Sequence, residues 1–197
     1  MNKPVFNLAA VILSGGQGSR MGGQDKGLIL VDGRPMIMNA LELVSRFTRS
    51  FAISCNRNHS TYSQFKCVML EDKVSDFQGP LAGIHAALLH YESQNEGLFS
   101  HLMVLPCDTP RLQEELLTEL VLAAQQNPSS ICYLKTSDRP QFLHAIVPVQ
   151  CLASLTAWLE QGERAVYKWY RQHSIIEVEV ADSTGSLRNI NTQADVR

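Results

Sequence analysis

The sequence predicts an α/β fold in which a mainly parallel sheet is flanked by helices. Short apolar runs typical of buried strands alternate along the chain with amphipathic stretches typical of helices. The first of these runs, 8–13, leads directly into a glycine-rich segment, 13–26. In sheets of this kind, ligands bind beyond the carboxyl ends of the strands. Polar residues at those ends are therefore the first candidates for a functional site.

The composition is typical of one globular domain. The chain has 197 residues, 45% hydrophobic and 18% charged, so we expect a single domain, 1–197, with a sizeable core. Its formal net charge of -2 gives no general attraction for nucleic acid or anionic membranes, and no apolar run reaches the length of a membrane span. We therefore expect neither partner. Five cysteines without a C-x-x-C pair are typical of reduced core thiols in a cytoplasmic protein.

Apolar periodicity gives the expected elements in chain order. We expect strands at 8–13, 28–31, 51–54, 67–70, 102–105, 131–134, 142–149 and 176–180, the last half-exposed at a sheet edge. We expect helices at 35–49, after Gly79-Pro80, at about 112–126, and over two stretches covering 152–159 and 164–171. Pro106 should end its strand, because proline cannot donate to a central ladder. His144 lies within a predicted strand and is expected to be a core histidine.

The glycine-rich segment has the composition of a phosphate-binding loop. Its glycines allow sharp turns and a close approach of the backbone to a ligand, and successive N–H groups in such a loop bind anions. Arg20 and Lys26 add fixed positive charge. The Walker pattern fails, because Lys26 is followed by Gly27 rather than Ser or Thr. The dinucleotide pattern also fails, because Met21 takes the place of its third glycine, and a plain surface turn is the alternative.

A second segment, 101–110, places a carboxylate at the end of a buried strand. Asp108 would lie at the same edge of the sheet as the glycine-rich segment. A carboxylate there can hold Mg²⁺, which bridges nucleotide phosphates, and the alternative is a helix cap. Cys107 has no base partner placed by the sequence, so we expect a packed thiol rather than a nucleophile.

Several motifs occur together in the order and at the spacing of one protein family. They are L-S-G-G-x-G-S-R-M-G-G-x-D-K at 13–26, G-P-L-A-G at 79–83, P-C-D-T-P at 106–110, G-E-R at 162–164 and N-I-N-T at 189–192. The chain resembles the molybdenum cofactor guanylyltransferases, which are nucleotidyltransferases related to sugar-nucleotide pyrophosphorylases. The resemblance spans nearly the whole chain. It implies a Rossmann-like nucleotide-diphospho-sugar transferase fold and the transfer of GMP from GTP to molybdenum-molybdopterin, with release of pyrophosphate.

The resemblance also implies roles for single residues. Arg20 and Lys26 would steady the leaving pyrophosphate and Asp108 would hold Mg²⁺, so these three form the expected catalytic set. The implied nucleotide-binding residues are Leu13, Ser14, Gly15, Gly16, Gly18, Lys26, Asn56, Asp72, Gly79 and Asp108. The residues that match the family's pterin-binding segments are Arg164, Asn189 and Asn191.

Two departures from the family pattern leave part of the site open. Ser54 stands where many relatives have a second asparagine, which affects guanine selectivity, and Phe142 stands where proline is usual, which affects pterin contacts. A cytidylyltransferase on the same pterin, a sugar-phosphate nucleotidyltransferase and a non-catalytic nucleotide-binding carrier of the cofactor are the alternatives. The implied partners are GTP and molybdenum-molybdopterin, with Mg²⁺ as cofactor. Other cofactor-biosynthesis proteins and recipient molybdoenzymes or their chaperones are candidate protein partners.

Overall fold

The computed structural model describes residues 6–14, 24–71, 79–94, 98–137, 139–191 and 195. Its strands are β1 (Leu8–Leu13), β2 (Leu30–Val31), β3 (Arg34–Pro35), β4 (Phe51–Ser54), β5 (Val68–Leu70), β6 (His101–Pro106), β7 (Ile131–Lys135), β8 (Pro140–Pro148) and β9 (Ile175–Glu179). Its helices are α1 (Met36–Val44), α2 (His59–Tyr62), α3 (Pro80–Ser93), α4 (Glu114–Gln126), α5 (Leu152–Glu160) and α6 (Val166–Tyr170).

Seven of the strands form one twisted sheet in the order β5-β4-β1-β6-β8-β7-β9. All neighbours pair in parallel except β8, which is antiparallel to both β6 and β7. The six parallel strands therefore end at one side, which we call the carboxyl edge. This arrangement confirms the predicted α/β fold with a mainly parallel sheet.

Helices cover both faces of this sheet and create two apolar cores. Alternate residues of β1 point to opposite faces, so that Val11 packs with α3, α5 and α6 while Ile12 packs with α1 and α4. Both side chains are completely buried. A central parallel strand covered on both faces must be apolar along its whole length, which explains the unbroken run 8–13.

Some element boundaries differ from those expected. The first helix ends at Val44 rather than near residue 49, and β2 begins only at Leu30. The residues before β2, Lys26–Leu28, form a 3-10 turn whose N-cap, Asp25, accepts a hydrogen bond from the Gly27 N–H. A side-chain cap of this kind stabilises a turn at the expense of an extended strand. The short helix α2 had no clear periodic signal in the sequence.

Two further boundaries bear on the site. Pro106 is the last residue of β6 and pairs with Leu13, whereas the expected strand stopped at residue 105. The pairing of β6 with β8 ends earlier, at Val104, so the missing N–H of the proline breaks no ladder there. Helix α6 begins only at Val166, so Arg164 precedes it. Within the described ranges, no helix is both long enough and apolar enough to cross a membrane.

Candidate active site

Three predicted site residues from distant parts of the chain meet at the carboxyl edge. The Lys26 ammonium lies 2.6 Å from Asp108 Oδ2 and also donates to Asn191 Oδ1 at 2.6 Å. Asp108 follows the end of β6, while Lys26 sits in the 3-10 turn after the glycine-rich segment. The Ile190 N–H donates to the Asp108 carbonyl at 2.8 Å, which fixes the C-terminal segment against β6. The Lys26 ammonium therefore contacts both a carboxylate and a side-chain amide.

Two buried oxygen atoms of the predicted site residues accept no hydrogen bond from the described residues. They are Asp108 Oδ1 and Asn189 Oδ1. A buried acceptor without a donor is costly, so such atoms commonly face a ligand or an ion. Carboxylate and amide oxygens are hard ligands that suit Mg²⁺. The Lys26 ammonium on the other Asp108 oxygen shows that positive charge is favourable at this carboxylate. The residues present therefore fit a divalent cation, although no cluster of three acidic, His or Cys side chains occurs in the described part.

Ser14 anchors the glycine-rich segment to the sheet. Its N–H donates to the Ser54 carbonyl at 2.9 Å, and its hydroxyl contacts the Tyr62 hydroxyl. The Leu13 carbonyl accepts the Cys107 N–H at 3.1 Å. The sequence led us to expect the Ser14 amide among the phosphate-binding groups, but the structure uses it to extend the pairing of β1 with β4. Any cradle of free amides therefore begins after residue 14.

The remaining described nucleotide-site candidates lie at the same edge. Asn56 follows β4 and is half-buried. Gly79 is the N-cap of α3, and its φ of 77° is one that glycine adopts without strain. The candidates Gly15, Gly16, Gly18, Arg20 and Asp72 lie outside the described residues.

Arg164 takes a different position from the one its spacing suggested. It was expected within the helical stretch 164–171, but it precedes the helix, and its Nη1 donates to the carbonyls of Leu159 and Glu163, at 2.9 and 2.7 Å. These contacts close the C-terminal end of α5, where a cation is favoured by the helix dipole. Part of the guanidinium is therefore used by the backbone. Unlike Asn191, Arg164 has no described contact with Lys26 or Asp108.

A buried polar network next to Lys26 has no signal of its own in the sequence pattern. The Asp25 carboxylate accepts from the Tyr62 hydroxyl at 2.6 Å and from Asn58 Nδ2 at 3.0 Å, and it lies 3.6 Å from Arg57 Nε. Burial, and then the bond to Asp25, raise the pKa of Tyr62 far above its ordinary value, so the hydroxyl stays protonated and can donate. Asp25 was part of the glycine-loop motif, whereas nothing in the sequence pointed to Tyr62.

Two buried groups near the site have the structural roles expected of them. Cys107 is buried, and burial together with the Asp108 charge raises its pKa to about 12, so it remains a thiol. His144 is completely buried on β8 and pairs with the Thr109 hydroxyl at 3.0 Å. Burial lowers the pKa of His144 to about 3, which keeps the ring neutral. The predictions of a packed thiol and a core histidine are confirmed.

A basic residue after a glycine-rich segment meets a carboxylate after β6 at the carboxyl edge of this sheet, and the match to a family model places the protein among the nucleotidyltransferases. Residues 10–176 match the family described as the MobA-like NTP transferase domain. The chain therefore belongs to this family.

Named relatives are similar in sequence to this chain over nearly its full length. A molybdenum cofactor guanylyltransferase of Vibrio parahaemolyticus is 36% identical over 186 residues, which cover 94% of this chain and 91% of the relative. Its counterpart in Shewanella sp. (strain MR-4) is 34% identical over 187 residues, or 95% and 92% of the two chains. The crystal structure of molybdopterin-guanine dinucleotide biosynthesis protein A from Archaeoglobus fulgidus superposes with a TM-score of 0.77 at 24% identity, covering 95% and 94%. That similarity confirms the fold.

Proposed function

We propose that this protein transfers GMP from GTP to molybdenum-molybdopterin, releasing pyrophosphate and forming the guanine dinucleotide form of the cofactor. The observation that carries the proposal is the meeting of Lys26, Asp108 and Asn191 at the carboxyl edge. It occurs in a chain whose relatives at 34–36% identity are named molybdenum cofactor guanylyltransferases. An ammonium, a carboxylate and an amide at one point suit the phosphates of a nucleotide.

The reaction requires little covalent chemistry from the protein. The terminal phosphate of the pterin attacks the α-phosphorus of GTP, forming one P–O bond while the bond to the pyrophosphate oxygen breaks. Because the acceptor brings an ionised phosphate, no protein nucleophile is needed, and catalysis consists of positioning and charge neutralisation. Lys26 would place its ammonium on the phosphate oxygens that gain negative charge, and Arg20 would bind the leaving pyrophosphate through two oxygens.

We assign Mg²⁺ to Asp108, whose buried Oδ1 lacks a donor among the described residues. When bound there, the ion would neutralise phosphate charge that the protein's cations leave uncompensated. Asp108 itself is held in place by its backbone carbonyl, which accepts the Ile190 N–H. Lys26 holds the carboxylate itself through Oδ2. Both the backbone and the side chain of Asp108 are therefore fixed before any ligand arrives, which suits a site that works by positioning.

The other candidates take supporting roles in this proposal. The loop amides of 15–18 cradle the triphosphate, and Leu13, Asn56, Asp72 and Gly79 surround the nucleotide. The proposed contacts to the pterin are Asn189, Asn191 and Arg164. Of these, Asn191 has the strongest support, because its amide oxygen already accepts from Lys26 at 2.6 Å. Ser54 is buried against α3, so its side chain supports the strand end and leaves base recognition to its neighbours.

The decisive experiment measures pyrophosphate release with molybdate-loaded molybdopterin and Mg²⁺, offering GTP, CTP, ATP and UTP in turn. We expect release with GTP only, and only when the pterin is present. Release with CTP would identify a cytidylyltransferase with the same fold. Binding of GTP without release of pyrophosphate would contradict the proposed activity and favour a cofactor carrier, and release with a sugar phosphate as acceptor would identify a sugar nucleotidyltransferase.

A further inference from the structure

We propose that Tyr62 is a positioning residue of this site, whose buried hydroxyl ties the two ends of the glycine-rich loop to the segment that follows β4. We call Ser14, Asp25, Gly27 and Tyr62, together with Arg57 and Asn58, the loop anchor. The inference rests on the proposed function only for the identity of the ligand that the loop holds.

The Tyr62 hydroxyl connects residues on both sides of the glycine-rich loop. It donates to Asp25 Oδ1 at 2.6 Å and contacts the Ser14 hydroxyl. Because a phenol has one proton, which goes to the carboxylate, the Ser14 hydroxyl must donate to Tyr62. Ser14 follows β1 immediately before the loop, and Asp25 immediately precedes Lys26. One fully buried side chain therefore holds the entrance and the exit of the loop together.

The Asp25 carboxylate also connects the end of the loop to the segment that follows β4. Its side chain is only 2% exposed, and besides Tyr62 it contacts Arg57, Asn58 and the Gly27 N–H. Arg57 also donates to the Gln24 carbonyl at 3.1 Å, so the backbone before Lys26 is held from two directions. A buried carboxylate with several donors is stable only in one geometry, which makes it a suitable anchor.

The backbone at Gly27 lies very close to the Ser14 and Tyr62 side chains. A Cβ atom at this position would lie 2.2 Å from the Ser14 hydroxyl oxygen and 2.6 Å from that of Tyr62. No real side chain fits at such distances, so the absence of one at Gly27 allows the turn after Lys26 to close onto the anchor. The backbone of Lys26 is therefore fixed on both sides, through Asp25 and Gly27.

The loop anchor positions Lys26, although Tyr62 itself has no described contact with this lysine. The lysine reaches Asp108 and Asn191 at 2.6 Å from a turn that the loop anchor holds in place. Without the Tyr62 hydroxyl, Ser14 and Asp25 would each lose a buried hydrogen bond, and the two loop ends could separate. A shift of about 1 Å at such a site can reduce turnover by about a hundredfold.

The test compares Tyr62→Phe with Tyr91→Phe. Tyr91 is a matched control, because it is also buried and its hydroxyl makes one hydrogen bond, to the Ala10 carbonyl at 3.3 Å, away from the loop. For Tyr62→Phe we expect faster amide hydrogen exchange in a peptide spanning 13–28 and about tenfold or more weaker binding of GTP in the presence of Mg²⁺. For Tyr91→Phe we expect neither change.

Asp25→Asn provides a second test, because it keeps the shape of the side chain but removes the charge that Tyr62 and Arg57 bind. Asp25→Asn should give the same faster exchange in 13–28 and the same weaker GTP binding as Tyr62→Phe. It replaces Tyr62→Phe as the test of the inference if that variant does not fold. Equal exchange and equal GTP affinity in the Tyr62 and Tyr91 variants would overturn the inference. If the wild-type protein binds no GTP, the proposed function fails, whereas the exchange rates of 13–28 still decide whether Tyr62 positions the loop.

Discussion

Lys26 and Asp108 are 82 residues apart in sequence and form an ion pair at 2.6 Å. Their side chains are 27% and 14% exposed, so the pair is partly shielded from water yet open to a ligand. Both residues were identified from their motifs and from their expected positions at strand ends. The contact of Lys26 with Asn191 could not be predicted, because it depends on how the segment after β9 returns to β6.

Lys26→Ala and Asp108→Asn should each lower turnover by about a hundredfold or more while the fold persists. The first removes the cation that the phosphates require, and the second removes a charge at the assigned metal position. The assay is pyrophosphate release, with circular dichroism to check folding. Lys135→Ala is the matched control, because Lys135 also forms an ion pair, 2.5 Å from Glu177, but does so between β7 and β9. Near-normal turnover in either site variant would contradict the phosphate assignment.

At the scale of elements, the position of α3 depends on Gly83. The helix is buried along most of its length, and its N-terminus lies beside the ends of β1 and β4. The sequence correctly predicted a helix that follows Gly79-Pro80, and its buried residues include Leu81, Ile84, Leu88 and Tyr91. It did not indicate that Gly83 is the point of closest contact, because a glycine within a helix has no periodic signature.

Gly83→Ala should destabilise the protein by about 1–3 kcal/mol through overpacking. The new Cβ would lie 2.5 Å from the Ser54 hydroxyl oxygen and 2.9 Å from Leu13 Cδ2, so the helix or the strand ends must move. Denaturant unfolding of the variant measures the change in the free energy of unfolding. Adding Ser54→Ala removes the nearest atom and should restore part of the loss. A Gly83→Ala variant as stable as the wild type would show that α3 can shift freely.

At the scale of the whole molecule, three histidines are buried or partly buried in the fold. Burial lowers the pKa values of His101, His144 and His173, the first and second of which are almost completely buried. A histidine that is neutral when buried gains a proton on unfolding in acid. The stability of the whole fold is therefore linked to pH, even though none of the three imidazoles has a described contact with Lys26 or Asp108.

His144 should make the protein sensitive to acid. Its pKa is about 3 in the folded protein and has the ordinary value of 6.5 in the unfolded chain, which therefore binds more protons between these values. The free energy of unfolding contributed by His144 is constant above pH 6.5 and falls as the pH drops towards 3, by about 2 kcal/mol at pH 5. Urea unfolding at pH 7 and pH 5 measures this, and His144→Gln should lose that part of the dependence.

A His144→Gln variant with the full wild-type dependence would contradict the assignment.

The sequence by itself determined the fold class and predicted the edge of the sheet at which Lys26 and Asp108 meet. Apolar periodicity is a local property, and the run 8–13 matches β1 residue for residue. The motifs also predicted Lys26, Asp108 and Asn191 as site residues, and the structure brings these three side chains into contact.

Only the tertiary structure decided how these residues are held. The contact of Lys26 with Asn191 spans 165 positions, and that of Tyr62 with Ser14 spans 48. It likewise showed that the Ser14 amide belongs to the sheet and that Arg164 closes α5. Such hydrogen bonds depend on the packing of whole elements, and a single buried hydroxyl leaves no periodic pattern from which it could be predicted.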